Sequence, residues 1–319
     1  MASELLVLIP VFNDWSAVSR VLAGLDEQVG DIGGPVGVLL VDDGSTEPPP
    51  AELPFEPRHL ARVEVLPVRR NLGHQRAIAL GLTFVYERRS CRAVLVMDGD
   101  GEDAPGDVPK LLAALDASRP GTAVFAARAR RSEGPWFTAG YAAYKAVHRL
   151  LTGRKVEVGN FSVLPWPLLE RLVGVSEIWN HYAAAVYKAR LPVVQVPVAR
   201  ARRVEGRSRM DFVGLVTHGL SAISVYGEVV GVRMLCLAAA LTAVTLFAIA
   251  AIGFTRIFLG VAIPSWAGTA MGLLVFLLAS LLFMLAMAVL FLLQSRERYS
   301  FLPLRDYRHY LLPERRLHG

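Results

Sequence analysis

Four carboxylates fall within six positions of the stretch VMDGDGED, at Asp98, Asp100, Glu102 and Asp103. Like charges this close repel by on the order of 1 kcal/mol per pair even in water, so a compensating charge is expected. Hard divalent cations are held by oxygen ligands of this kind, and in Asp98-Gly99-Asp100 the intervening glycine lets a bulky phosphate approach the backbone. A Mg2+ or Mn2+ held there would keep waters, bind substrate phosphates and act as a Lewis acid on a diphosphate leaving group. A solvated acidic turn would account for the same residues without a ligand. A second acidic pair, Asp42 and Asp43 in VLLVDDGST, follows another apolar run. Two strand-then-acid arrangements point to one shared crevice, because ligands of open parallel sheets sit at the carboxyl ends of the strands. Neither GxxxxGK[ST] nor a strand followed by GxGxxG occurs, which argues against ordinary nucleotide hydrolysis and dinucleotide redox chemistry. His74, His181 and His218 lack the spacing of a zinc site. His74, at the start of an expected helix, is equally compatible with a phosphate contact and with a surface position.

These residues need a scaffold. From Leu5 to about Pro197 short β-rich runs alternate with helical stretches, the pattern of an α/β domain with a largely parallel sheet. Strands are expected at Leu5–Ile9, Val36–Val41, Val63–Pro67, Ala93–Met97 and Ala123–Ala126. Helices are expected at Asp14–Asp26, Asn71–Tyr86, Asp107–Asp116 and Trp136–Leu151. The proline-rich TEPPPAELPFEP reads as a loop inside this domain, since the alternation continues on both sides.

The rest of the chain has a different character. The hydrophobic fraction is 53% and the mean hydropathy +0.40, and Met234–Gly253 and Ala267–Leu293 contain no Asp, Glu, Lys or Arg. Each reaches the roughly 18 to 20 apolar residues that cross a bilayer, so two transmembrane helices are expected. Arg200, Arg202, Arg203, Arg207, Arg209 and Arg233 precede the pair and Arg296, Arg298, Arg305 and Arg308 follow it, with Arg256 alone in the connection. This bias places both ends on the cytoplasmic side of the inner, or plasma, membrane. MASELLVLIPVFND has no basic lead and no small-residue cleavage site, and reads as a strand rather than a signal peptide. Between the domain and the spans, Phe212, Val216, Leu220, Ile223 and Val230 share one helical face, as in an interfacial helix lying on the membrane. Cys91 and Cys236 fit a reducing compartment. The net charge of +6 sits in arginines without interleaved aromatics, which favours anionic membrane lipids or a phosphorylated lipid over nucleic acid.

Taken in order, LLVLIPVFND, VDDGST, RNLGHQRAIALGL and MDGDGEDAP resemble the glycosyltransferase family 2 catalytic domain of GT-A (Rossmann-like) α/β fold. RARRSEG, GNFSVLP and RVEGRSRM, followed by two spans, resemble its polyprenyl-phosphate branch, which includes dolichol-phosphate mannose synthase and bactoprenol glucosyltransferase. The resemblance implies a nucleotide-sugar pocket of Pro10, Val11, Asp14, Asp42, Asp43 and Asp98, with a Mg2+ or Mn2+ at Asp100 and Glu102 as a further ligand. It implies catalytic roles for Asp98, Asp100, Arg128 and Arg131, the two arginines facing phosphate near the acceptor, and places Arg203, Arg207 and Ser208 near the lipid headgroup. Asn160 stands where some relatives carry Asp, which leaves it to orient the acceptor or to serve the fold.

The implied organisation is a catalytic domain over residues 1–210, an interfacial helix over 211–232, two spans over 233–295 and a cytoplasmic tail over 296–319. The implied reaction is metal-dependent inverting transfer of a hexose-type sugar from a UDP- or GDP-linked donor to undecaprenyl or dolichyl phosphate. Transfer to another lipid hydroxyl and an inactive nucleotide-sugar-binding membrane scaffold are the alternatives. Sugar identity and oligomeric state stay open, and a homo-oligomer is compatible with the sequence.

Overall fold

The computed structural model describes residues 4–128, 135–154, 159–199, 219–260, 265–298 and 301–319. They fall into two compact units, one of residues 1–138, 157–225 and 301–319, the other of residues 139–156 and 226–300.

The first unit is built on one mixed sheet of eight strands in the order β7-β5-β6-β4-β1-β2-β3-β8. The strands are β1 (Leu5–Val11), β2 (Val36–Asp42), β3 (Leu60–Pro67), β4 (Ala93–Val96), β5 (Ala123–Arg128), β6 (Ser162–Pro165), β7 (Val193–Val198) and β8 (Arg315–His318). The central strands β1 and β4 are apolar throughout, and β2 up to its last residue, Asp42, because both faces are covered. Leu6, Leu8, Leu39 and Val41 enter the core on one face, under α2 (His74–Arg88), α5 (Trp166–Leu172) and α6 (Tyr182–Lys188). Leu5, Val7, Ile9, Val38 and Leu40 enter the core on the other, under α1 (Trp15–Gln28) and α3 (Val108–Ala117). The alternation along each strand is the two-residue period of the pleat. β1 pairs in parallel with both β2 and β4, so the chain order reverses across β1 and opens a crevice at the carboxyl ends of these three strands.

The nine expected elements form with ends shifted by three residues or fewer. The sheet itself is less parallel than its sequence pattern suggests. β6 runs antiparallel to both β4 and β5, and β8 antiparallel to β3. Each of these strands has four residues, too short for a two-residue period to stand out. β8 also changes the meaning of the C-terminus. Residues 301–319, expected as a tail, belong to the first unit and close one edge of its sheet. Burial of Phe301 and Tyr307 supplies the apolar contact that a solvated tail would lack.

The second unit contains two long helices, α7 (Gly227–Phe258) and α8 (Ser265–Arg298), and most of α4 (Pro135–Thr152). Over their most apolar windows the two long helices have mean hydropathy 2.5 and 2.7 but only 11% and 17% of residues buried. A soluble core helix that apolar would be enclosed, so both are long, apolar and exposed enough to cross a bilayer. A methyl group on Gly272 would lie 3.0 Å from Ile249, and one on Gly268 3.1 Å from Ile252, so small residues set the close approach of α7 and α8. The first of these helices starts at Gly227, so residues 227–232, read as the end of an interfacial helix, are its opening turns. Residues 219–224 are helical and 211–218 lie outside the described residues. α4 exposes Val147 and Leu150 beside Lys145 and Arg149. Its C-terminal carbonyls of Leu150 and Leu151 accept from the Arg233 guanidinium at 2.7 and 3.2 Å, a cation completing a helix end. Both cysteines are free thiols, and burial pushes Cys91 up to about 12.

Candidate active site

The register of the central strands brings the acidic motifs to one edge. Val11 lies opposite Asp42, and β4 ends beside Leu8, so the turns after β1, β2 and β4 leave the sheet together. The first two turns are stitched to each other. Asn13, at a φ of 57°, accepts from the Thr46 and Glu47 amides at 2.8 and 3.0 Å, while its own amide donates to Ser45 Oγ at 2.9 Å. The Trp15 indole donates to the Glu47 carbonyl at 3.0 Å. Pro10, Val11 and Asp14 are thereby fixed against the Asp42–Thr46 turn. Sequence reading passed over Asn13; the available signal was a small polar residue, tolerant of left-handed backbone, at a strand end.

Asp42 and Asp43 have separate environments. Asp42 Oδ1 accepts from the Ser45 amide at 2.9 Å and shapes its own turn. Asp43 is 2% exposed, and its two oxygens accept from the Leu72 and Gly73 amides at 2.8 Å each. Burial pushes its carboxyl up to about 6, and nearby Asp42 adds to the rise, against the opposing pull of the two amides and Arg76. Gly44 sits between these motifs at a φ of +70°, where a Cβ would come within 2.5 Å of the Arg70 and Asn71 backbone. Only glycine allows that approach.

The VMDGDGED turn divides its four carboxylates between two tasks. Asp103 is 1% exposed and accepts from the Asp98 amide at 2.9 Å, so it braces the turn from inside. Asp98, Asp100 and Glu102 are partly exposed, and Asp100 Oδ1 accepts from the Glu102 amide at 2.9 Å. Gly99 is required for a reason other than phosphate access. A Cβ there would meet Val18 at 2.8 Å and Ile9 at 3.0 Å, so it lets the turn close onto β1 and α1. Among the described residues no three His, Cys, Asp or Glu side chains form a ready cage for a metal ion. A Mg2+ or Mn2+ site made of one or two carboxylates and completed by substrate phosphates needs no such cage. The partly exposed oxygens of Asp98, Asp100 and Glu102 fit that donor set, whereas Asp103 is committed to the backbone.

A polar chain links the start of α2 to β6 and α6. Gln75 Nε2 donates to Asn160 Oδ1 at 3.0 Å and lies 2.9 Å from His74 Nε2, while Gln75 Oε1 accepts from the Tyr182 amide at 2.7 Å. Ser162 Oγ donates to the Asn160 carbonyl at 2.8 Å and meets the Tyr182 hydroxyl at 2.7 Å. Val96 opposite Ser162 is the last pair of β4 and β6, so Asn160 precedes β6 at the end of the sheet where Asp98 follows β4. Burial holds His74 below its ordinary value, with the Asp100 carboxylate pulling the other way, so the neutral ring can accept from Gln75 through Nε2. His74 is thus bonded to the Gln75 side chain, which in turn holds Asn160. Of the remaining expected residues, Arg128 is the last residue of β5. Arg131, Arg203, Arg207 and Ser208 lie outside the described residues.

Residues 6–164 match the model of glycosyl transferase family 2. The chain carries a glycosyltransferase family 2 domain. The match runs from β1 into β6 and so takes in both acidic turns, the His74-Gln75 helix start and Asn160. The mixed sheet, with its crevice at the carboxyl ends of β1, β2 and β4, is the GT-A scaffold of this transferase domain. Undecaprenyl-phosphate 4-deoxy-4-formamido-L-arabinose transferase of Edwardsiella ictaluri is 25% identical over 260 residues, covering 70% of this chain and 71% of that protein. An uncharacterized protein of Methanocaldococcus jannaschii is 29% identical over 114 residues, covering 35% and 47% respectively. Among solved structures, glucosyl-3-phosphoglycerate synthase of Mycobacterium tuberculosis with Mn2+, UDP-glucose and phosphoglyceric acid gives a TM-score of 0.49 at 18% identity, covering 72% of this chain and 80% of that one.

Proposed function

We propose that this glycosyltransferase moves a sugar from a UDP- or GDP-linked donor to a polyprenyl phosphate, undecaprenyl or dolichyl, at the cytoplasmic face of the membrane. The observation that carries the reading is the joining of one crevice of acidic turns to a pair of exposed apolar helices within a single chain. A relative along 70% of the chain that is named for transfer to undecaprenyl phosphate supports the acceptor class. The chain leaves the catalytic unit before α7 and rejoins it after α8. Two crossings return it to the starting side, and the flanking arginines make that side cytoplasmic.

In this reading Pro10, Val11, Asp14, Asp42, Asp43 and Asp98 receive the nucleotide, and Asp100 with Glu102 holds Mg2+ or Mn2+. The bound ion would supply neutralisation of charge on the departing diphosphate. An acceptor phosphate oxygen attacks the anomeric carbon from the face opposite the diphosphate. The new C–O bond forms as the bond to the diphosphate oxygen breaks, its electron pair leaves with the nucleoside diphosphate, and the configuration inverts. A phosphate monoester is largely ionised near neutral pH, so the acceptor needs alignment more than deprotonation. Asn160, held by Gln75 at the end of the sheet where Asp98 follows β4, suits alignment. Arg128 and Arg131 would face the acceptor phosphate, and Arg203, Arg207 and Ser208 the headgroup layer.

A neutral lipid hydroxyl would need a general base. Asp103 is already engaged inside its turn, which leaves Glu102 for that role and makes the phosphate acceptor the better supported one. The deciding experiment incubates purified full-length protein with a panel of UDP- and GDP-sugars and either a polyprenyl phosphate or the corresponding polyprenol. Chelator-sensitive sugar transfer to the phosphate alone is expected. Transfer to the polyprenol at an equal rate would overturn the acceptor assignment, and nucleotide-sugar binding without transfer to either would favour a scaffold.

A further inference from the structure

The segment that follows the second long helix is more than an edge cover. Phe301 stacks on Trp179 with ring centroids 4.0 Å apart and planes 18° from parallel. Tyr310 packs against both rings, at 5.2 Å from Trp179 and 5.9 Å from Phe301. The Arg76 guanidinium lies over the Trp179 ring, 5.2 Å from its centroid. The same segment grips the loop after β3: the Arg69 amide donates to the Tyr310 carbonyl at 2.9 Å and the Leu312 amide to the Pro67 carbonyl at 2.9 Å. Arg308 reaches Glu87 at 3.1 Å near the far end of α2.

Both gripped elements enter the crevice. The loop after β3 continues to Leu72 and Gly73, whose amides are held by Asp43. Arg76 stands in the first turn of α2, beside His74 and Gln75. The stretch 67–76 is thus fixed on one side by Asp43 and Asn160 and on the other by residues 301–312. Aromatic stacking and a cation over an indole each add attraction beyond burial, and together they favour one arrangement of a short loop.

We infer that residues 301–312 act as a strap that positions the first turn of α2 for nucleotide binding and transfer, with Trp179 as the positioning residue clamped between Arg76 and Phe301. The inference rests on the transferase reading above and adds to it a part of the site contributed by chain beyond the membrane helices. Small displacements of aligned groups can cost about a hundredfold in rate.

The test uses full-length protein carrying Trp179→Ala, Phe301→Ala, both together, or Trp179→Phe. Amide exchange across residues 68–78, affinity for UDP and GDP, and kcat and KM for polyprenyl phosphate are measured on the folded fraction. Each Ala variant is expected to speed exchange in that stretch, weaken the preferred nucleoside diphosphate at least about fivefold and lower kcat at least about tenfold, with KM for the lipid within about threefold. The double variant should be little worse than either single one, since both remove one clamp, and Trp179→Phe, which keeps a ring, should recover most of the loss. If Trp179→Ala does not fold, Phe301→Ala carries the test, because it leaves the indole in place. Unchanged nucleotide affinity and kcat in folded Phe301→Ala would overturn the strap. Absence of transfer by the unaltered protein would instead overturn the acceptor reading, and exchange and nucleotide affinity would still decide the strap.

Discussion

Gln75 Nε2 donates to Asn160 Oδ1 at 3.0 Å across 85 residues of sequence, in a place where both side chains are buried. The amide of Gln75 thereby ties the start of α2 to the residues just before β6. Replacing Gln75 with Leu removes this donor and also the acceptor of the Tyr182 amide. A buried polar group left without its partner costs about 1 to 3 kcal/mol. Thermal unfolding of Gln75→Leu in detergent is expected to fall accordingly, with a loss of kcat that exceeds any change in nucleotide affinity. An unchanged unfolding midpoint would remove Gln75 from this role.

Asp100→Asn keeps the size of the side chain and removes a charge from the proposed metal site. Turnover with Mg2+ or Mn2+ should drop by two orders of magnitude or more, on the order of the roughly 3 kcal/mol typical of lost transition-state stabilisation, with folding preserved. Asn160→Ala should cost much less if the proposed acceptor is a phosphate, since no proton then needs removing. Comparable losses in the two folded variants, with donor binding intact, would give Asn160 a larger part in the reaction than alignment.

Asp43 ionises at about 6 in the fold because it is buried, above the ordinary value of about 3.9 for the unfolded chain. Raised in the folded state, this carboxyl favours folding most when protonated in both states, and its contribution is lost as pH rises from about 4 through 6. Relative to Asp43→Asn, which carries no charge at any pH, the unaltered protein should therefore lose stability between about pH 4 and pH 6. Unfolding midpoints of the pair at several pH values measure it. A constant difference across that interval would contradict the raised ionisation.

Arg203 and Arg207 are proposed to sit at headgroup depth, where each basic residue gains about 1 kcal/mol from an anionic surface. Replacing both with Ala should raise the polyprenyl phosphate needed for half-maximal transfer severalfold and leave nucleotide-sugar affinity nearly unchanged. Titration of donor and acceptor separately in one detergent distinguishes the outcomes. Loss of donor affinity with unaltered lipid dependence would move these arginines to the nucleotide pocket.

The sequence by itself determined the elements whose signals are local. Apolar runs gave β1, β2 and β4, acids immediately after them marked one sheet edge, and two uncharged stretches gave the long helices. Such features depend on residues a few positions apart, so composition and spacing reveal them. Tertiary structure alone decided which acids face inward. Asp103 and Asp98 look equivalent in sequence, yet only Asp103 is turned under its own loop to accept a backbone amide. It also decided that β6 runs antiparallel, that Gln75 meets Asn160, and that Arg89 pairs with Glu314 across 225 residues. Those pairings arise when distant apolar surfaces are buried together and leave particular donors facing particular acceptors. Nothing in the spacing of neighbouring residues records that outcome, which is why four residues near the C-terminus, Arg315 to His318, read as tail and fold as the last strand of the sheet.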